Sequence, residues 1–94
     1  MSTTTERLAR FETAQELLGF VIAAYSANIY QEGKKPEPNQ AQITQWLAEQ
    51  SALEDLQDSL SFDDTESSER VIATYGPMVR ERYKQRKSSP NAQL

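Results

Sequence analysis

In LARFETAQELLGFVIAAYSANI, residues 8–29, apolar side chains return every three or four positions. Leu8, Phe11, Ala14, Leu18, Val21, Ile22, Tyr25 and Ile29 therefore fall on one face of an α-helix, not on the alternating faces of a strand. Just upstream, Thr3 followed by Glu6 has the spacing of a capping box, which satisfies the first unpaired amides of a helix. Downstream, Gly33 suits the position that closes a helix, and Pro36 and Pro38 forbid any continuation. The predicted helix covers about residues 3–32 and is roughly 40 Å long at 1.5 Å per residue. Gly19, small and central, is expected to mark the close approach of a second helix.

On the far side of the prolines, Asn39 can cap a second helix over about 39–60, carrying Ile43, Trp46, Leu47, Leu53, Leu56 and Leu60. The polar run SFDDTESSE, residues 61–69, punctuates the chain again, and Asp63, Asp64, Thr65 and Ser67 can each serve as a cap. A third stripe follows in Val71, Ile72, Tyr75, Met78, Val79 and Tyr83, predicting a helix over about 64–86. Gly76–Pro77 lies inside it and predicts a kink or a split there. Residues 88–94 are polar and are expected to form a disordered tail. No internal repeat and no strand pattern is present. The expected fold is all-α: a small three-helix bundle in one domain, residues 1–87, with a kinked or split third helix. Trp46 is its expected largest core anchor, with Phe11, Phe20 and Tyr75 as neighbours.

The totals narrow the function classes. Ninety-four residues hold one core, and at 37% hydrophobic residues with a mean hydropathy of −0.73 that core is thin. Cysteine and histidine are both absent, so disulfide frameworks and thiolate or imidazole metal sites are excluded, along with the commonest general base. The three glycines form no phosphate loop, and no serine sits in a GxSxG turn. Glu54 and Asp58 share a helix face, but no second carboxylate pair lies in register to complete a cation site. No catalytic residue, metal or cofactor is expected, and the chain is read as no enzyme. The N-terminus lacks a secretory apolar stretch, and LLGFVIAAY, residues 17–25, is too short to cross a bilayer. A cytoplasmic location is expected.

The charges are segregated. Residues 36–69 hold nine acids and no base, and residues 70–87 hold six bases and one acid. Two outcomes follow: the acidic second helix lies beside the basic third and neutralises it, or the acidic surface faces a basic partner. Arg80, Arg82, Lys84, Arg86 and Lys87 could instead contact phosphate or an acidic partner, as in a nucleic-acid-associated regulator, although the net charge of −4 opposes this. An assembly adaptor using Leu17 and Phe20 beside the main stripe is the further alternative.

Glu32 poses a separate question, because the C-terminal end of a helix disfavours negative charge. Either it is a solvated residue whose cost Lys34 and Lys35 offset, or a partner uses its carboxylate. The segment NIYQEGKKPEP, residues 28–38, resembles the inhibition segment of the small helical antitoxins that silence Fic-type AMP-transferring toxins. The pattern there is Ser or Thr, three residues, Glu, then Gly or Asn at a helix end; Asn28 stands at the Ser/Thr position of this chain. The resemblance implies that Glu32, with Gly33 ending the helix, pairs with an arginine of the toxin's nucleotide site and blocks productive placement of the ATP γ-phosphate. It implies a protein partner and a role in binding and restraining it. Asn28, Glu32 and Gly33 are thus the candidate partner-binding residues.

Overall fold

The computed structural model describes the backbone of residues 3–88 and the side chains of residues 3–84. Three helices make up the fold: α1 (Thr4–Gly33), α2 (Gln40–Ser59) and α3 (Thr65–Ser88). Among the described residues there is no strand. The tail expected beyond α3, from residue 89 on, lies outside the described residues.

Each helix begins where a polar side chain can take up free amides. The Glu6 N–H donates to Thr3 Oγ1 at 3.1 Å, and the Thr3 hydroxyl donates to the Glu6 carboxylate at 3.2 Å. Asn39 Oδ1 accepts from the Gln42 N–H at 3.0 Å. Asp64 accepts from the Ser67 N–H at 3.1 Å and from its hydroxyl at 2.6 Å. These bonds hold the Asp64 carboxyl below its ordinary range, the hydroxyl contributing most. The end of α1 departs from expectation. No glycine adopts a positive φ, and Gly33 is the last helical residue, followed by Lys34 in right-handed conformation. The Lys34 and Lys35 amides bond three residues back, to the Gln31 and Glu32 carbonyls. This tightened last turn satisfies the carbonyls without a left-handed residue.

α1 is the central element. α2 returns antiparallel along one flank, so that Gln50 faces Ser26 and Gln57 faces Gln15. α3 then starts beside the first turns of α1, where Arg7 lies 5.4 Å from the centre of the Phe62 ring and Arg10 pairs with Glu69 at 3.4 Å. Both outer helices pack on α1, yet no Cα atoms of α2 and α3 come within 8 Å of each other among the described residues. The result is an open layer measuring 54 × 33 × 15 Å. The backbones of the acidic and basic helices therefore do not pack directly on each other among the described residues, although apolar side chains of both meet in one cluster on α1.

Ala14 and Leu18 of α1 are fully buried and meet Leu53, Leu60 and Val71, with Phe11, Val21, Ile22, Tyr25, Leu56, Ile72 and Tyr75 around them. Trp46 and Phe20 do not belong to this cluster and are only half-buried. The reason is the open architecture. A side chain near the start of α2 has α1 on one side and no third helix to cover it, so ring size alone cannot make a core anchor. Tyr30, Leu47, Met78 and Tyr83 are at least half exposed.

α3 is not split: it runs through Gly76 and Pro77 as one element. Pro77 leaves only the Ala73 carbonyl without its usual donor, a local loss that the flanking turns tolerate. Gly19 also differs from expectation. A methyl group placed there would meet Gln57 Nε2 at 3.6 Å, an ordinary contact, so no helix backbone presses on it. Gly19→Ala should then stabilise the protein by about 0.5–1 kcal/mol, through lower backbone entropy of the unfolded chain. Denaturant titration reads this directly, and a loss of stability would show that α2 sits closer to α1 than described.

Candidate functional site

The corner between α1 and α2 collects the residues singled out in the sequence. Leu18, Ile22, Tyr25, Ile29 and Glu32 are spaced by four, three, four and three, so Glu32 continues the inward stripe of α1 by one more turn. This spacing was available in the sequence and foretells where the carboxylate goes. Glu32 is 9% exposed and is no solvated surface residue.

Its two oxygens have different partners. The Lys35 ammonium donates to Oε1 at 2.8 Å, and the backbone N–H of Asn39 donates to Oε2 at 3.0 Å. Asn39 is the cap of α2. A carboxylate at the unfavourable end of α1 is thus also at the favourable end of α2, where the free amides and the helix dipole attract negative charge. The Lys35 bond and then the Asn39 amide hold the Glu32 carboxyl below its ordinary range, against the opposing pull of burial. It is ionised at neutral pH. Lys34 does not share in this; its ammonium stands 4.5 Å from the centre of the Tyr30 ring.

The surroundings of Glu32 are open. Asn28, one turn earlier, is exposed; Tyr30 is 62% exposed; and a Cβ on Gly33 would touch nothing within 4 Å. Two of the three candidate residues, Asn28 and Gly33, therefore lie at the surface around a carboxylate that is itself tucked in.

Polar contacts fix the hairpin that carries this corner. The Gln57 side-chain amide donates to the Gln15 carbonyl at 3.1 Å, and the Gln15 amide returns the bond to the Gln57 carbonyl at 3.0 Å. The Gln50 amide donates to the Ile22 carbonyl at 3.0 Å and to Ser26 Oγ at 2.7 Å. Tyr25 donates its hydroxyl to Glu49 Oε1 at 3.0 Å; burial, then this bond, pushes the phenol above its ordinary value. Sequence reading missed the glutamines because they look generic. Their signal is register: Ile43, Trp46, Gln50, Leu53, Gln57 and Leu60 recur every three and four residues, so Gln50 and Gln57 face α1.

The basic candidates lie elsewhere. Arg80, Arg82 and Lys84 are exposed along α3, and Arg86 and Lys87 occupy its last turns with side chains outside the described residues. Leu17 and Phe20 are half-buried on α1. A shallow cavity of about 210 Å³ between α2 and α3 is lined by Leu56, Ser67, Arg70, Val71, Thr74 and Tyr75. Among the described residues no cluster of three metal-ligating side chains occurs, and no helix is long and apolar enough to cross a membrane. No protein-family model matches the chain, and it matches no curated protein and no solved structure.

Proposed function

We propose that this chain is a binding module with no chemistry of its own, which docks the α1–α2 corner on a partner enzyme and restrains it through Glu32. One observation supports the reading most: an ionised carboxylate held by two directed bonds at a helix corner whose rim, Asn28, Tyr30 and Gly33, is exposed. A carboxylate placed in this way can engage an arginine fork by charge-assisted, bidentate bonds, and an arginine so occupied no longer serves a phosphate. The resemblance of residues 28–38 to the antitoxin segment supports a Fic-type AMP-transferring enzyme as the class of partner and an antitoxin-like inhibitory role for the chain.

The test is AMP transfer by the Fic-type enzyme that co-purifies with the chain, with and without Glu32→Gln. Glutamine keeps the shape and can still accept from the Asn39 N–H, whereas glycine would open the corner as well as remove the charge. Wild-type protein is expected to suppress the transfer, and Glu32→Gln to restore it at least tenfold with helicity unchanged by circular dichroism. Full suppression by the glutamine variant overturns the proposal. So does the absence of suppression by the wild type together with duplex DNA binding that weakens steeply with salt, which would move the function to α3.

A further inference from the structure

We infer that Lys35 is an intramolecular placeholder for the partner's cation, so that docking proceeds by exchange of one cation for another on Glu32 Oε1. The inference rests on the function proposed above and assigns Lys35 a regulatory role at that site. The two bonds to Glu32 differ in how readily they can be given up. Asn39 N–H belongs to the backbone at the start of α2, where the capping bond from Gln42 fixes the cap residue, so it stays with Oε2. The Lys35 side chain is 61% exposed, whereas the Glu32 side chain is 11% exposed. Lys35 is therefore the outer member of the pair: a flexible four-carbon stem bearing a hydrated ammonium, which can swing away without disturbing either helix.

What its departure uncovers has a definite chemistry. Oε1 becomes free while Oε2, still aimed by the Asn39 amide, keeps a second acceptor position. A planar guanidinium can then bridge both oxygens, which the single ammonium of Lys35 does not. The partner group that fits is an arginine that reaches into the α1–α2 corner, where its fork outcompetes the single ammonium of lysine. In the free protein Lys35 serves the opposite purpose. It adds a positive charge to the compensation that the Asn39 amide gives a carboxylate at the C-terminal end of α1.

Removing the placeholder should strengthen the complex while improving its grip should weaken it. In calorimetric titration against the same purified AMP-transferring enzyme, Lys35→Met is expected to tighten binding about two- to five-fold, the equilibrium equivalent of one exposed ion pair. Lys35→Arg, which can fork onto Glu32, is expected to loosen it by a similar factor. In a Glu32→Gln background the Lys35→Met substitution should change affinity by less than about 1.5-fold, because the competition it relieves no longer exists. If Glu32→Gln abolishes suppression but Lys35→Met leaves binding unchanged or weakens it, the exchange is wrong and the function stands. If Lys35→Met tightens binding equally with glutamine at position 32, the effect is one of overall charge and the exchange is again overturned. If Glu32→Gln suppresses as well as wild type, the functional reading itself has failed.

Discussion

Leu18→Ala should lower the stability of this protein by about 2–5 kcal/mol, read as a shift of the denaturation midpoint in urea at constant slope. Leu18 is completely inaccessible and sits in the cluster where Leu53 of α2 and Val71 of α3 both meet α1. Truncating its side chain takes away a methine and two methyl groups and leaves a hole where three helices meet. Domains of this kind have only about 5–15 kcal/mol in total, so the variant stands near its folding limit. A midpoint change equivalent to less than about 1 kcal/mol would mean that the helices relax into the hole, and that the layer is more plastic than its packing indicates.

Val71→Asp is expected to have a comparable cost and a different outcome. Val71 is 4% exposed on the face of α3 that meets α1, and an aspartate there would be an uncompensated buried charge, costing on the order of 3–5 kcal/mol. The simplest relief is for α3 to leave α1 and hydrate the carboxylate. Because no Cα atoms of α2 and α3 lie within 8 Å of each other among the described residues, this departure removes no close backbone neighbour of α2. The hydrogen bonds that join α1 to α2, from Gln15, Gln50, Gln57 and Tyr25, also involve no α3 residue. Hydrogen exchange should accordingly show protection lost across residues 65–88 and retained in part within α1 and α2. Equal loss in α2 would show that the three helices unfold as one unit, and that the shared cluster around Leu18 outweighs the polar clasp.

The elements were legible because their signals are local. Thr3, Asn39 and Asp64 can each satisfy free amides, and prolines at 36 and 38 admit no helix, so the boundaries of α1 and α2 follow from the residues at those points. The identity of the core was less legible. Trp46 has the largest apolar surface in the chain and was the natural anchor, but burial depends on how many neighbours surround a position, and α2 has a helix on one side only. Gly33 misled for a related reason. Glycine permits a left-handed cap without requiring one, and the chain used a tighter right-handed turn.

The candidate site divides in the same way. The pattern at Asn28, Glu32 and Gly33 could be read directly, as could the mismatch between a carboxylate and the end of α1. Its resolution could not, because the compensating amide belongs to Asn39, seven residues on, and reaches Oε2 only once the Pro36–Pro38 turn has folded back. Lys34 and Lys35 look equivalent as neighbours in a chain, yet one stacks on Tyr30 and the other bonds Glu32.

Composition and periodicity thus settled that the chain is helical, where each helix starts, and which faces are apolar, since these depend on residues within a turn or two of each other. Which helix lies in the middle, and therefore that the backbones of acidic α2 and basic α3 both pack on α1 and not on each other, was set by packing between distant segments. Burial of Glu32 likewise required two helix ends of opposite polarity to meet, because a lone helix terminus has no such field to offer.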